Sequence, residues 1–261
     1  MVAILQVLFP LYIYPQDCSI STDVCGWKPL YDALTTYSNI EFTLAINPKN
    51  GSGPVNTLPD NDYIAGISAL NAFPNAKTIG YVASNKTHRP VNEYQGEVDT
   101  YLFWGRQNAN LSMHGIFIDE GSNNEEDVQY YKDFSQYIRN QTWPGGPPTV
   151  VNNPGTTLSK RYFDEIPDDI YVTFENAWSV FRDSAPFTIW TDPLYFDLPG
   201  PRQGVIFHDF NGTTADMKNI TDSSAKREFK YVFVTTQPSY SPFSSQLTEF
   251  LAAVNATNAA T

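Results

Sequence analysis

Residues 113–140 read MHGIFIDEGSNNEEDVQYYKDFSQYIRN. A short apolar run ends in two adjacent acids, Asp119 and Glu120, with Gly115 and Gly121 on either side. A polar loop follows, and then a segment that opens on acidic residues and carries its apolar side chains at helical spacing. This is one strand–loop–helix unit, and the same pattern recurs along the chain. Strand-like runs lie at 3–15, 40–48, 76–84, 113–121, 148–155, 169–178, 203–212 and 230–236, starting about 32 residues apart on average, the size of a βα repeat. Segments 60–73, 93–107, 125–140 and 244–256 have helical spacing. The strands are nearly continuous apolar runs, as expected where both faces are covered. Eight such units predict an α/β fold, a closed (β/α)8 barrel, over residues 1–261 as a single domain. An open doubly wound sheet is the alternative, and the lack of a GxGxxG turn after the first strand counts against it. The unit between the fifth and sixth strands is short, so its helix is expected to be reduced.

Composition narrows the function. Sixteen basic against 28 acidic residues give a net charge of −12, without the clustered Lys and Arg that nucleic acid requires. Such a field serves solubility, and it also favours neutral or cationic partners. No apolar run is long enough to span a membrane. Cys18 and Cys25 close a short loop with no histidine nearby, which predicts a disulfide rather than a metal site. Seven Asn-x-Ser/Thr triplets, at Asn50, Asn85, Asn110, Asn140, Asn211, Asn219 and Asn255, are roughly twice the chance number and point to secretion. The apolar start has neither a basic leader nor a small-residue cleavage site, so it reads as the first strand, with any secretion signal absent from this chain.

A barrel of this kind builds its site from residues at the C-terminal ends of its strands. Those positions hold Tyr12 and Tyr14, Asn47, Tyr81 and Ser84, Asp119 and Glu120, Asn152 and Asn153, Glu175 and Trp178, His208 and Asp209, and Gln237. No GxSxG elbow or free cysteine–histidine pair is available for acyl transfer. The three histidines lack metal-ligand spacing, and no phosphate-cradling glycine loop is present. Neither a metal nor an organic cofactor is expected. What remains is a mouth with carboxylates on strands four and six, ringed by Tyr and Trp, the inventory of a glycosidase. One isolated acid is as well explained as a helix cap or an ion pair. Acids at two strand ends of one mouth favour function. Side chains alternate along a strand, so only one of Asp119 and Glu120 can follow the inward row unless the strand breaks its regularity.

The runs PLYIYP, GYV, GIFIDEG and TFENAW together make the chain resemble the spherulin-4 family. That group includes the fungal glycoside hydrolase family 135 and is more distantly related to the endo-α-1,4-polygalactosaminidases of family 114. The resemblance covers essentially the whole sequence. It implies a (β/α)8 barrel, secretion, and hydrolysis within galactosaminogalactan, an exopolysaccharide of α-1,4-linked galactose, N-acetylgalactosamine and galactosamine. The family's catalytic acids fall on Asp119, Glu120 and Glu175. By analogy with retaining α-glycosidase barrels, Asp119 is the expected nucleophile, Glu175 the acid/base, and Glu120 a binding or tuning group, with an exchange of Asp119 and Glu120 as the nearest rival. Tyr12, Tyr14, Tyr81, Asn152, Trp178 and His208 are candidate sugar contacts. Retaining and inverting geometries are both open to such acids. The partner is expected to be a polysaccharide, with no nucleic acid or membrane, and the chain a monomer outside the cell or at the cell wall. The other functional readings are a polysaccharide-binding wall or spore-coat protein without catalysis, and a barrel glycosidase for a different polymer.

Overall fold

The computed structural model describes residues 4–183, 189–191 and 193–260. Among these, eight parallel strands pair in sequence order and close on themselves, β1 to β8. They are β1 Gln6–Leu11, β2 Phe42–Ile46, β3 Ala76–Ala83, β4 Gly115–Asp119, β5 Thr149–Asn152, β6 Ile170–Ala177, β7 Gln203–His208 and β8 Tyr231–Val234. The helices between them are α1 Lys28–Thr36, α2 Asn61–Leu70, α3 Val91–Gln107, α4 Val128–Arg139, α5 Lys160–Glu165, α6 Trp178–Asp183 and α7 Pro193–Phe196, α8 Thr214–Lys226 and finally α9 Leu247–Ala259. The eight-unit expectation therefore holds as a closed barrel, and the open sheet is excluded. Helix α5, in the short fifth unit, has only six residues.

Local sequence explains the helix starts. Asp60 caps α2 by accepting from the Tyr63 N–H, and Thr213 with Asp216 forms a reciprocal capping box at α8,. Helix α3 buries Tyr94, Val98, Tyr101 and Trp104 against the barrel. The Tyr101 hydroxyl is shared between the carbonyls of Ile46 and Tyr81, at 3.0 and 2.9 Å, tying the ends of β2 and β3 to the helix layer. Each fully buried Leu, Ile, Val or Phe contributes about 1.5–3 kcal/mol, and each of the eight strands buries at least two of them.

Two features set which side chains reach the mouth. In β6 the register against β7 shifts between Val172 and Phe174, an extra residue that resets the alternation of everything after it, Glu175 included,. The first predicted run was too long, for β1 ends at Leu11 and Tyr12 and Tyr14 sit in the loop beyond it. That loop carries the disulfide between Cys18 and Cys25. No helix among the described residues is long and apolar enough to cross a membrane.

Candidate active site

Both glycines of GIFIDEG are required by close approach. Gly115 has φ +155°, and a Cβ there would fall 1.9 Å from the Thr149 carbonyl oxygen of β5. A Cβ on Gly121 would meet the Pro154 nitrogen at 2.9 Å. The Gly121 N–H donates to the Asn153 carbonyl at 2.8 Å, so the loops after β4 and β5 lie directly against each other. The strand ends at Asp119, and Glu120 adopts a left-handed conformation, φ 52°. A non-glycine residue held there is strained, and such strain collects at functional sites. The kink answers the alternation problem, because Asp119 and Glu120 now line the same cavity with Glu175.

This cavity, of about 400 Å³, is also lined by Lys86, Asn153 and Gly155. At its floor one amide joins two acids. Asn153 Nδ2 donates to Asp119 Oδ1 at 2.7 Å and to Glu175 Oε2 at 2.5 Å. These two oxygens are thus held within about 5 Å of each other. The amide is oriented by the Gly155 N–H, which donates to Asn153 Oδ1 at 3.1 Å. Asp119 also accepts from the Tyr81 hydroxyl and the Glu120 backbone N–H, and Glu175 Oε1 accepts from the Tyr240 hydroxyl. Burial first, and then the Glu175 charge, push the Asp119 carboxyl up to about 6, against the pull of those donors,. Among the described residues no lysine or arginine is ion-paired with Asp119 or Glu175.

Tyrosines wall this couple. Tyr12 stands edge-on to both Tyr81 and Tyr240, with ring centroids 5.4 and 5.8 Å apart. Tyr81 is only 3% exposed, so its hydroxyl reaches the site while its ring face packs toward Phe117. His208 lies beyond Tyr240, ring centroids 6.3 Å apart, with Nδ1 2.7 Å from Asp209 Oδ2.

Three sequence-based assignments are placed elsewhere. Tyr14 is 48% exposed and its hydroxyl donates to Asp62 at 3.1 Å, its ring edge-on to Tyr63, on the α2 side rather than at the couple. Trp178 is 5% exposed, packed among Phe181, Phe207 and Phe210, so its face is core rather than a sugar platform. Asn152 is 2% exposed and donates to Asp169 at 2.8 Å. Its neighbour Asn153, one residue on and therefore on the other face, holds the acids. Sequence position carried a signal for this. Asn153 stands two residues before Gly155 as Asp119 stands two before Gly121. Tyr240 had no such signal, since it lies six residues beyond β8 in a loop of Ser, Pro and Thr.

A larger cavity, about 460 Å³, opens near the start of β4 against Tyr101, Arg106 and Met113. It has no acid in its lining, so volume alone does not locate the chemistry.

Comparison with known proteins fits this picture. Residues 6–254 match the family described as Spherulin4: Spherulation-specific family 4. Spherulin-4 of Physarum polycephalum is 28% identical over 180 residues, 69% of this chain and 47% of that protein, so the match spans about half of the relative's length. Among solved structures, the crystal structure of Aspergillus clavatus Sph3 in complex with GalNAc is similar with a TM-score of 0.83 at 25% identity. That match covers 97% of this chain and 98% of the other. The GH99 endo-alpha-mannosidase from Bacteroides thetaiotaomicron has a TM-score of 0.52 at 10% identity over 93% and 81% of the two chains, a likeness of fold alone.

Proposed function

The chain belongs to the spherulation-specific family 4, and from that premise we propose that it is a secreted, endo-acting glycoside hydrolase of polymers containing α-1,4-linked N-acetylgalactosamine, galactosaminogalactan being the reference substrate. The observation that carries this reading is the acid couple bridged by Asn153. An oxygen–oxygen separation within about 5 Å fits the about 5–5.5 Å of a retaining pair better than the roughly 6.5–9.5 Å that an inverting enzyme needs to seat a water,. The GalNAc bound by the similar Sph3 supports the choice of sugar.

In this mechanism Asp119 attacks the anomeric carbon, and Glu175 protonates the leaving oxygen. Glu175 then takes a proton from the water that releases the glycosyl-enzyme. Three donors converge on Asp119 and favour its anion,. Glu120, on its kinked backbone, lines the same cavity and serves substrate binding. The net charge of −12 attracts a polymer that carries protonated amines over a Debye length of about 8–10 Å.

The test is incubation with galactosaminogalactan and a panel of other polysaccharides, with oligosaccharide release followed by mass spectrometry. The anomer first formed at the new reducing end is read by NMR. Oligosaccharides of retained configuration from the N-acetylgalactosamine polymer are the expected result. Binding without release would reduce the protein to a polysaccharide-binding module, and release from another polymer alone would change the substrate.

A further inference from the structure

Resting on the hydrolase reading, we infer that Tyr240 is a catalytic residue that follows the proton on Glu175, and that this proton is carried by Oε1. Hydrogen-bond partners differ in whether they can reverse. Asn153 Nδ2 can only donate, and the Gly155 N–H on Asn153 Oδ1 prevents the amide from turning over. Its two acceptors, Asp119 Oδ1 and Glu175 Oε2, therefore stay unprotonated, and the couple cannot share a proton directly between them. The Glu120 backbone N–H on Asp119 is likewise donor-only, so two of the three partners of Asp119 demand a carboxylate. Glu175 differs. Among the described residues, the hydrogen-bond partner of its Oε1 is the Tyr240 hydroxyl, and a phenol both donates and accepts. Protonated Glu175 is matched with its proton on Oε1 and Tyr240 as acceptor. Ionised Glu175 is matched with Tyr240 as donor.

The fold holds Tyr240 for this task. Its backbone is left-handed, φ 60°, and its ring is set between Tyr12, His208 and Phe233. On catalysis the proton leaves Glu175 Oε1 for the glycosidic oxygen, which also takes the electron pair of the breaking C–O bond. Tyr240 keeps its own proton throughout and turns its O–H onto the carboxylate just formed.

The experiment compares two leaving groups on one glycone: a sugar hydroxyl, which needs a proton, and a dinitrophenolate, which does not. Tyr240→Phe is expected to slow cleavage of the oligosaccharide about 30–300-fold and of the aryl glycoside less than about 3-fold, within the range of general acid catalysis. In a Glu175→Gln background, Tyr240→Phe should add less than about 2-fold. Tyr37→Phe, at the end of α1 with its hydroxyl on the Thr248 carbonyl, is the control and should change neither rate. An equal loss on both substrates, no loss on either, or full additivity with Glu175→Gln overturns the assignment while leaving the hydrolase reading intact. Failure of the wild-type protein to cleave both substrates overturns the hydrolase reading, and the role of Tyr240 with it.

Discussion

A buried acid and a half-buried one lie on either side of β5, served by Asn152 at the end of that strand and Asn153 just beyond it. Asn152 donates to Asp169, at the entrance of β6, and Asn153 to Asp119 and Glu175, at the exits of β4 and β6. Asp169 is fully buried, accepts from Ser135 Oγ at 2.6 Å, and pairs with Arg139 at 2.5 Å. Burial pushes its carboxyl up, and the hydroxyl, guanidinium and amide pull it back. Asp119 receives only neutral donors and faces a second acid instead of a cation. A buried acid with a counterion is a strut. One whose nearest charge is like itself is pushed up toward neutrality and becomes a reagent.

Removing the reagents should have the largest effect. Asp119→Asn and Glu175→Gln are each expected to lower kcat/KM on the polymer by at least about 10³-fold with the fold retained by circular dichroism. Asp169→Asn should leave turnover per folded molecule within a few-fold. Equal losses from all three would erase the distinction. Breaking the strut comes next. Arg139→Ala leaves the Asp169 carboxylate without its cation and should cost about 2–4 kcal/mol in urea unfolding, the lower end reflecting a guanidinium that still touches solvent.

The couple should also be recognisable by its pH behaviour. Asp119, at about 6 when folded against 3.8 as the reference value, binds its proton more tightly in the native state. Between those values the protein gains stability as pH falls, and above about 6 it bears the full penalty of the buried charge. Asp119→Asn should therefore stabilise by about 1–3 kcal/mol at pH 8, with the gain vanishing toward pH 4. Activity has the same origin. Asp119 attacks as a carboxylate, so the proton it holds below about 6 must leave before it can act,. The pH profile of kcat/KM should therefore fall on its acidic side near that value, and undiminished activity down to pH 4 would contradict it,. The smallest contrast is between the two asparagines. Asn153→Ala is expected to slow turnover about 10–100-fold with little change in stability, whereas Asn152→Ala should cost about 1–2 kcal/mol of stability and leave kcat near wild type.

How far the sequence reached depended on periodicity. The eight strand runs were legible as continuous apolar stretches recurring about every 32 residues, and the long helices α2, α3, α4 and α9 by the 3.6-residue repeat that burial of one face imposes. Asp119, Glu120 and Glu175 were legible because charge at the end of an apolar run is anomalous. Trp178 misled, since an aromatic after a strand looks the same whether it covers the core or faces a ligand. Asn152 and Asn153 were separated only by the face each occupies.

The amino-acid sequence by itself determined the barrel, the disulfide loop and the strand ends where chemistry is possible, because these follow from local patterns of apolar and polar residues. Only the tertiary structure decided which acids meet, which amide joins them and which hydroxyl attends Glu175. Those contacts depend on the kink at Glu120, the register shift in β6 and a loop residue 65 positions away from its partner, none of which is written in the spacing of the chain.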